Sequence, residues 1–348
     1  MKALLLREYK YLELLDLPQP APAPGELLVQ VAACGICGSD VHGYDGSSGR
    51  RIPPIVMGHE AAGIVAAIGQ GVTKFHPGDR VTFDSTVYCG DCPFCLRGEV
   101  NLCDRRQVIG VSCGEYRRAG AFAEFVTVPE RITCALPDSM SFAEAAMLEP
   151  VSVALHAVKV SEIRGGETAL VIGAGMIGLL TLQAARAAGC SRVLIADVDA
   201  TRLKLAESLG ATETLLLSGD ELAREVIRLT GSGADIALEA VGRNQTIQAA
   251  IHSVRKGGTV TLIGNIEPQV TIPLQVVVSR QLRLQGTAAS SGEYPQAIEL
   301  IRSGAIQVRP LITAVAPLEE GARWFERLYA HEPNLMKIVL APQPELVR

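Results

Sequence analysis

Four cysteines, Cys89, Cys92, Cys95 and Cys103, lie in the segment CGDCPFCLRGEVNLC with the spacing C-x2-C-x2-C-x7-C. Thiolates this close in sequence can surround one tetrahedral Zn²⁺, and four thiolate ligands leave no coordination position for a substrate. The glycines and the proline of the segment favour the tight turns that wrap a loop around an ion. The pattern therefore predicts a structural zinc lobe over residues 89–103. Free or disulfide-paired cysteines are the alternative, which is disfavoured because nothing in the sequence indicates export.

A glycine-rich turn between a predicted strand and a predicted helix could hold a dinucleotide. The segment VIGAGMIG fits the pattern G-x-G-x-x-G, whose glycines form the turn, admit a pyrophosphate and let the helix pack on the strand. The first turn of the helix then offers free N–H groups to the phosphates. The predicted cofactor contacts are Gly173, Gly175, Met176, Ile177 and Gly178. A packing turn without a ligand is the alternative.

A carboxylate closes the next predicted strand. Asp197 lies nineteen residues after Gly178, where a carboxylate can bond to the ribose hydroxyls of adenosine and repel a 2′-phosphate. This position predicts NAD rather than NADP. Arg202 lies nearby and is predicted to stack on the adenine or, as a weaker alternative, to bind the extra phosphate. A helix N-cap is the other role that Asp197 could have.

Scattered ligand types could hold a second metal ion. Cys37 lies in CGICGSDVHGY, His59 and Glu60 lie in MGHE, and Glu149 lies in MLEP. A catalytic zinc takes about three protein ligands and keeps one position open. Cys37 and His59 would supply sulfur and nitrogen, and a carboxylate would come from Glu60, from Glu149, or from both in exchange. Each residue alone is a weak indication, because a lone buried cysteine is usually an apolar core residue.

Two kinds of chain must position these groups. Up to about residue 150, short apolar runs separated by Gly, Pro and Asp turns indicate a β-rich domain. From about 152 to 286, apolar strands alternate with helices, which predicts a parallel sheet covered on both faces. In that series, TALVIGA is a predicted strand and NQTIQAAIHSVRKGG is predicted as a single helix. After about 287 the chain returns to short mixed segments.

The composition of the chain argues against several classes of function. A net charge of −5 provides no basic surface for nucleic acid or for an anionic membrane, and aromatic residues at 4% offer little for base stacking. The apolar runs are too short or too interrupted by glycine and polar residues for a signal peptide or a membrane span. Nine cysteines, an odd number, fit reduced thiols better than a disulfide framework. We therefore expect a cytoplasmic protein with no nucleic-acid or membrane partner.

Taken together, the motifs resemble the zinc-dependent medium-chain dehydrogenases/reductases, and among them the sorbitol (polyol) and threonine dehydrogenase branch. The resemblance spans essentially the whole chain and rests on CGICGSD, GHE, the four-cysteine lobe, GAFAEFV, LEP, VIGAGMIG and DVDATRL. Glu149 stands where plain alcohol dehydrogenases carry a cysteine. The resemblance implies an α/β protein with a GroES-like catalytic domain over 1–152 plus 287–348 and a Rossmann NAD-binding domain over 153–286. It also implies a homotetramer or a dimer.

The resemblance further implies the roles of the site residues and two zinc ions per chain, one structural and one catalytic. Catalytic-zinc ligation is implied for Cys37, His59, Glu60 and Glu149, and catalytic roles are implied for Ser39, His42, Glu60 and Glu149. Ser39 would take the proton of the substrate, and His42 would pass it through the ribose to solvent. Asp40 would orient His59. The alternatives are a turn residue for Ser39 and a surface loop residue for His42.

The reaction implied is hydride transfer between NAD and a secondary alcohol or ketone, the substrate being a small polyol, sugar or sugar alcohol. Sorbitol dehydrogenases grip polyol hydroxyls with an Arg-Tyr pair, and here Ala and Ser occupy those positions in GTAASSGEYP. Tyr44 and Arg117 are candidate substrate contacts. Arg117 with Arg118 would suit a phosphorylated or acidic substrate, and a solvated loop is the alternative. A threonine-type amino-alcohol dehydrogenase, a sugar-alcohol-phosphate dehydrogenase and a zinc-free or structural relative are the other hypotheses.

Overall fold

The chain forms two compact units in a computed structural model that describes residues 1–113 and 116–347. The first unit contains Met1–Glu149, Ser290–Arg302 and the chain from Val308 onward, and the second contains Pro150–Ala289 with Ser303–Gln307. The domain boundaries expected from the sequence differ from these by three residues at each crossing. The short piece 303–307, which was expected in the catalytic domain, packs with the second unit.

Short strands make up most of the first unit. Numbered along the whole chain, they are β1 (Lys2–Glu8), β2 (Tyr11–Asp16), β3 (Glu26–Gly35), β4 (Ile55–Val56), β5 (Glu60–Ile68), β6 (Arg80–Phe83), β7 (Thr86–Val87), β8 (Gln107–Val108), β9 (Val111–Cys113), β10 (Tyr116–Arg118), β11 (Phe125–Pro129), β12 (Thr133–Ala135), β19 (Ile312–Pro317) and β20 (Lys337–Ala341). Its helices are α1 (Gly38–Tyr44), α2 (Pro93–Leu96), α3 (Phe142–Ala145), α10 (Tyr294–Arg302), α11 (Gly321–Tyr329) and α12 (Pro344–Val347), and α4 (Leu148–Val160) leads into the second unit.

The main sheet of the first unit runs in the order β12-β6-β5-β3-β20-β19, with β11 also paired to β3. β3 is the central strand, and its side chains are buried on both faces, as expected of the apolar run LLVQVAACG. It pairs antiparallel with β5 and with β20. The registers place Gly35 opposite both Glu60 and Val339. The last residues of β3 therefore lie beside the first residues of β5 and near the start of β20.

The second unit alternates strands with helices. Its strands are β13 (Thr168–Ile172), β14 (Arg192–Ala196), β15 (Glu213–Leu215), β16 (Ala234–Glu239), β17 (Val254–Leu262) and β18 (Arg283–Gly286), and its helices are α5 (Met176–Ala187), α6 (Ala200–Ser208), α7 (Gly219–Thr230), α8 (Asn244–Ser253) and α9 (Leu274–Ser279). All the strands are parallel, in the order β15-β14-β13-β16-β17-β18. This is the strand order of a Rossmann sheet, which binds dinucleotides beyond the carboxyl ends of its central strands. The expected α/β fold class is confirmed.

One expected helix is shorter than its sequence indicated. Helix α8 ends at Ser253, and VRKGG belongs to β17 rather than to the helix. The extended conformation begins at Val254, which is fully buried and pairs with Ala234 of β16. Lys and Arg are good helix formers, but intrinsic helix propensity is a small effect. The burial of Val254 in the sheet therefore decides the conformation of this segment. Among the described residues, no helix has both the length and the apolar character needed to cross a membrane.

Candidate metal centres and cofactor site

The ends of three strands assemble one cluster of chemically active side chains. Cys37 follows β3 and is the N-cap residue of α1, and Glu60 is the first residue of β5. Lys337 is the first residue of β20. Gly35 is required at this point, because a Cβ there would collide with the Glu60 carboxylate. The sequence GHE places His59 immediately before β5, so one turn delivers both His59 and Glu60.

Cys37, His59 and Glu60 lie close enough together to share a metal ion. The Sγ, ring nitrogen and carboxylate oxygen of these residues all fall within 4.8 Å of one another. His59 and Glu60 are buried, and Cys37 is partly exposed. Sulfur, nitrogen and oxygen donors from three residues, with one side accessible, form the ligand set of a catalytic zinc site.

Asp40 lies behind the histidine of this cluster. Its Oδ1 is 3.3 Å from His59 Nδ1, and its Oδ2 accepts the backbone N–H of Cys37 at 3.2 Å. Burial opposes ionisation, but the charges of His59 and Arg51 hold the pKa of Asp40 well below its ordinary range. With Nδ1 directed to Asp40, Nε2 is the nitrogen of His59 left for a metal. A carboxylate in this position fixes the orientation of the imidazole ring.

Glu60 has one carboxylate oxygen engaged and one without a partner. Lys337 Nζ donates to Glu60 Oε2 at 2.5 Å and to the carbonyl of Ile36 at 3.1 Å, and Lys337 is 2% exposed. Oε1 of Glu60 is buried and has no hydrogen-bond donor. A buried oxygen without a partner is costly unless a cation or water satisfies it. The residues present therefore fit a zinc ion at this cluster.

Glu149, the second residue of α4, contributes another carboxyl group near the cluster. Burial raises the pKa of Glu149 to about 7, with the charge of His59 opposing the shift and that of Glu60 adding to it. A carboxylate disfavours the ionisation of a second carboxyl group close to it. The structure thus brings Glu149 into the electrostatic neighbourhood of His59 and Glu60, whereas the close cluster itself comprises Cys37, His59 and Glu60.

Ser39 and His42 lie three residues apart on α1, so both face the same side of the helix. Both side chains are exposed. The Ser39 hydroxyl accepts a hydrogen bond from Arg51 Nη2 at 3.2 Å, which leaves its own proton available for donation. The geometry is that of a hydroxyl and an imidazole displayed beside Cys37 and open to solvent.

The four cysteines of the lobe surround one point. Their Sγ atoms fall within 4.8 Å of one another, with separations of 3.8 Å for Cys89–Cys95, 3.5 Å for Cys92–Cys95 and 3.4 Å for Cys89–Cys103. Zinc–sulfur bonds of about 2.3 Å in a tetrahedron put the sulfurs roughly 3.8 Å apart, whereas a disulfide needs about 2 Å. Backbone N–H groups, that of Cys95 first, lower the pKa of the Cys92 thiol to about 6, although burial opposes this. The lobe therefore fits a zinc ion, with no position left for a substrate.

The glycine-rich turn joins β13 to α5 and has the geometry of a dinucleotide site. Gly173 has φ +98°, and a Cβ on Gly178 would strike the carbonyl oxygen of Gly173. Gly175 is the N-cap of α5, and a Cβ there would meet nothing within 4 Å. Met176 and Ile177 open the helix, so their N–H groups face the space in front of it. Gly173 therefore permits the turn and Gly178 permits close packing against it. The missing side chain of Gly175 leaves open space at the start of the helix.

Asp197 follows β14 and is partly exposed. Its carboxylate accepts the backbone N–H of Ala174 at 2.6 Å and that of Asp199 at 2.9 Å. The N-cap of α6 is Asp199, which accepts from Thr201, so capping is not the role of Asp197. Arg202 is exposed and lies 3.6 Å from Asp199. The structure brings Asp197 to the glycine turn and leaves Arg202 at the surface beside it.

Tyr44, expected as a substrate contact, belongs to the core. It is 5% exposed, its ring packs against Phe325 and Tyr329, and its hydroxyl donates to the carbonyl of Lys10 at 2.8 Å. A side chain held on all sides in this way has no group to offer a substrate. The position of Tyr44 at the end of α1, beyond the exposed His42, suggested otherwise.

The two arginines of β10 differ from each other. Arg117 is exposed and donates to the carbonyl of Pro54 at 3.0 Å. Arg118 is partly buried and forms an ion pair with Glu26 at 2.6 Å. A matched pair of free guanidinium groups, as a phosphate clamp requires, is therefore not what β10 presents. Glu115, in the same segment, lies outside the described residues.

Two buried cations, Arg51 and Lys337, were missed from the sequence. Both contact acids of the cluster, Arg51 through Asp40 and Lys337 through Glu60. A lysine that opens the otherwise apolar strand KIVLA was a usable signal, because a charged group at a strand position that is otherwise core needs a buried partner. Nothing in the local sequence of Arg51 distinguishes it from its exposed neighbour Arg50.

The chain is similar to known proteins over nearly its whole length. Family models match it as an alcohol dehydrogenase GroES-like domain over residues 23–138 and as a zinc-binding dehydrogenase over residues 177–303. It is 32% identical to the sorbitol dehydrogenase of Bacillus subtilis, covering 98% of this chain and 97% of the relative. It is 35% identical to the L-idonate 5-dehydrogenase of Vitis vinifera, covering 84% and 81%. A zinc-binding dehydrogenase from Sinorhizobium meliloti, solved bound to NADP, matches with a TM-score of 0.88 and 33% identity, covering 98% and 99%.

Proposed function

The chain belongs to the zinc-dependent medium-chain dehydrogenases, in the sorbitol and polyol branch, and we propose that it transfers a hydride between NAD and a secondary alcohol of a polyol, sugar or sugar alcohol. The observation that carries the proposal is the cluster of Cys37, His59 and Glu60, in which a buried oxygen of Glu60 has no donor. This cluster has the donors of a catalytic metal site, and the exposed hydroxyl of Ser39 lies two residues from one of them.

The proposal includes two zinc ions per chain. Cys37, His59 and Glu60 would hold the catalytic ion, with Glu149 as a further carboxylate at hand, and the four-cysteine lobe would hold the structural ion. When bound at the first site, zinc supplies Lewis acidity that lowers the pKa of an alcohol. Lys337 donates a hydrogen bond to one oxygen of Glu60, which leaves the second oxygen to bind the metal or release it. That arrangement supports exchange of Glu60 at the metal.

The proton of the alcohol has a path through this chain's own residues. Ser39 accepts it on Oγ and gives up its own hydroxyl proton, and His42 carries that proton to solvent. The nicotinamide ring of the cofactor is the hydride acceptor. Both residues are exposed on one side of α1, so the path stays open to water without opening the buried part of the cluster.

NAD is the cofactor that the second unit favours. The carboxylate of Asp197 lies at the glycine turn, bonded to the N–H of Ala174, where the ribose of adenosine binds in a Rossmann fold. A phosphate on that ribose would lie against this negative charge. Arg202 is the one basic group of the predicted set that could attract the phosphate, and it already lies 3.6 Å from Asp199.

The substrate we favour is an uncharged polyol other than sorbitol itself. Ser290 lies in the segment that replaces the Arg-Tyr pair, is 2% exposed and donates to Asp84 at 3.2 Å, so it has no hydroxyl to offer a ligand. The ion pair of Arg118 with Glu26 argues against a phosphorylated substrate. A threonine-type substrate stays as the second candidate, because the relay residues of α1 would serve it equally well.

The chain is also proposed to form a homo-oligomer, through the β18 edge of the second unit. Within the part of the chain that the structure describes, β18 pairs with β17 and with no second strand. In α9, the helix that leads into β18, Leu274 and Val278 are 68% and 69% exposed. An unpaired edge strand flanked by exposed apolar side chains is a surface that a second copy can cover.

The decisive experiment is formation of reduced cofactor across sugar alcohols, inositols, short diols, threonine and phosphorylated polyols, each with NAD⁺ and NADP⁺. We expect turnover of an uncharged polyol with NAD⁺, and we expect Asp197→Ser to relax the preference towards NADP⁺. A preference of the unmodified protein for NADP⁺ would show that Asp197 has been misassigned. Turnover of threonine alone, or of phosphorylated polyols alone, would replace the substrate proposal.

Metal analysis tests the two sites separately. The purified protein should contain two zinc ions per chain, and Cys37→Ser and Cys92→Ser should each remove about one. Cys37→Ser should abolish turnover with little change in the thermal midpoint, whereas Cys92→Ser should lower the midpoint because structural zinc contributes to folding. Unfolding of the Cys37 variant with an unchanged Cys92 variant would mean that the two roles are reversed.

A further inference from the structure

Arg51 is a buried cation with contacts on two functional groups at once. It is 3% exposed and lies in the segment that precedes β4. Its Nη2 donates to Ser39 Oγ at 3.2 Å and to Asp40 Oδ1 at 3.0 Å, and its Nε donates to the same oxygen of Asp40 at 3.3 Å. A planar guanidinium presents its donors in a rigid fork and so holds two acceptors in fixed directions, whereas the donors of a lysine ammonium rotate about a single nitrogen.

The two groups that Arg51 holds belong to different halves of the chemistry. Ser39 is the hydroxyl of the proposed proton path. Asp40 faces the metal cluster, with Oδ1 3.3 Å from His59 Nδ1 and Oδ2 bonded to the N–H of Cys37. One side chain is therefore linked to the proton acceptor and, through a single carboxylate, to two of the proposed metal ligands.

Helix α1 is shaped to admit this side chain. Gly43 lies in the helix, where glycine is normally unfavourable by about 1 kcal/mol. A Cβ at Gly43 would collide with the Cβ and Cγ atoms of Arg51. The helix thus carries a residue that weakens it at the one point where the stem of Arg51 passes. The three atoms nearest to that Cβ position all belong to Arg51.

We propose that Arg51 is a positioning residue that couples proton release to the geometry of the metal site. This inference rests on the proposed dehydrogenase function. Arg51 occupies one lone pair of Ser39 Oγ, so the other lone pair receives the alcohol proton while the serine's own proton leaves towards His42. The same guanidinium fixes Asp40, and Asp40 fixes the ring of His59. Loss of Arg51 therefore loosens both the hydroxyl and the histidine.

The test compares Arg51→Ala and Arg51→Lys with Arg50→Ala, which removes an exposed arginine from the same segment. The first measurement needs no substrate: the rate of zinc release into a colorimetric chelator, with the visible spectrum of the cobalt-substituted protein. Groups that support a metal ligand change affinity or activity by about 10–100-fold when they are removed. We expect Arg51→Ala to release one of its two zinc ions at least about tenfold faster, and added guanidinium ions to slow that release again. Arg50→Ala should behave as the unmodified protein.

The second measurement separates positioning from a general structural role. Arg51→Lys keeps a charge near Asp40 but has one nitrogen on a shorter side chain and lacks the rigid fork that fixes Ser39. Zinc release should therefore stay near that of the unmodified protein. With xylitol or another alcohol that the unmodified protein oxidises with NAD⁺, the kcat of Arg51→Lys should fall about 10²-fold with KM changed little, and its solvent isotope effect should rise.

The outcomes are distinct. If Arg51→Ala folds, releases zinc at the normal rate and keeps the cobalt spectrum, the link through Asp40 is wrong. If Arg51→Lys keeps the normal kcat and isotope effect, the link through Ser39 is wrong. If Arg51→Ala does not fold, the Arg51→Lys comparison still decides the second link. If the unmodified protein oxidises no alcohol, the proposed function fails, while the zinc-release result still decides the role of Arg51 at the metal.

Discussion

Asp84 is a buried carboxyl group of the first unit whose ionisation the fold disfavours. It follows β6, accepts the backbone N–H of Thr86 at 2.8 Å and accepts the hydroxyl of Ser290 at 3.2 Å. Burial raises the pKa of Asp84 from its ordinary value of 3.8 to about 6, and Glu293 adds to the rise. Because the folded pKa lies above the unfolded one, the stability linked to this group is complete below about pH 4 and is lost as the pH rises through about 6.

Asp84→Asn should therefore stabilise the protein at alkaline pH. The amide can still accept from Thr86 and can donate to Ser290, and it carries no charge. A two-unit shift corresponds to at most about 3 kcal/mol above pH 6, with roughly half of that remaining at pH 5. Calorimetric thermal midpoints at pH 8 and pH 5 measure the difference. Asp16→Asn, at an exposed position, is the control and should give the same small change at both values. An equal gain from Asp84→Asn at both pH values would show that its charge is not the cause.

The residues that chemistry demands could be predicted from the sequence, and those that support them could not. Cys37 and His59 carry a thiol and an imidazole, groups that have few chemical roles besides metal binding, so their motifs indicated a metal site. Arg51 and Lys337 lie 11 residues and 277 residues away from their acids in sequence. The pairing of β20 with β3 brings Lys337 to the site, and the segment before β4 brings Arg51. Tyr44 was misassigned for the same reason. Its neighbourhood in sequence is the active helix, but its neighbourhood in space is the core.

The glycine turn of the second unit separates stability from cofactor binding within one element. Gly178→Ala places a Cβ against the carbonyl oxygen of Gly173, so it should lower the thermal midpoint and weaken cofactor binding together. Gly175→Ala places a Cβ in open space at a φ of −74°, which any residue adopts. Gly175→Ala should change the free energy of unfolding by no more than about 0.5 kcal/mol, so the thermal midpoint should stay nearly the same. It should nevertheless weaken NADH binding strongly, because the methyl occupies the approach of the pyrophosphate.

Differential scanning fluorimetry and titration of NADH fluorescence give the two readouts for each variant. Gly210→Ala, at a glycine beyond α6 with φ +94° where a Cβ would also collide with the Arg186 guanidinium, serves as a control for destabilisation without a cofactor role. It should lower the midpoint while NADH affinity at low temperature stays unchanged. If Gly175→Ala binds NADH normally, the turn of the second unit does not hold the pyrophosphate.

For the secondary-structure elements, the periodicity of the sequence predicted whether a segment is a helix or a strand better than it predicted where the segment ends. The strands β13, β14 and β16 follow their sequence patterns because each is a largely apolar run bounded by turns, whereas β15 is a strand of 3 residues with mixed polarity that the patterns did not indicate. The expected helix over NQTIQAAIHSVRKGG failed at its end, because Val254 is drawn into the sheet by burial rather than by local preference. Pairing across the sheet is a long-range property that no local window contains.

The chain divides into two compact units near residue 150, where the pattern of the sequence changes, and most of the chain after Ser290 belongs to the first unit. This assignment of the C-terminal chain could be expected only from the family resemblance, because the segments after 287 have no pattern that assigns them to either unit. It has a consequence for the site, since Lys337 is carried by β20 and Ser290 precedes α10. Truncation of the C-terminal chain would therefore remove a cation from the metal cluster.

The proposed association of copies of the chain through the β18 edge is a property of the whole molecule, and charged substitutions near that edge test it. Leu274→Glu with Val278→Glu puts two charges on the exposed apolar face of α9, next to the unpaired edge of β18. Burying unpaired charges in an interface is unfavourable, so the double variant should shift the mass measured by light scattering on a sizing column from an oligomer towards the monomer of 36.9 kDa.

Leu216→Glu is the matched control, because Leu216 is 56% exposed and follows β15 at the opposite edge of the same sheet. A monomeric unmodified protein, or a double variant with the mass of the unmodified oligomer, would exclude this edge as the interface. A shift with Leu216→Glu alone would place the interface at the β15 edge instead.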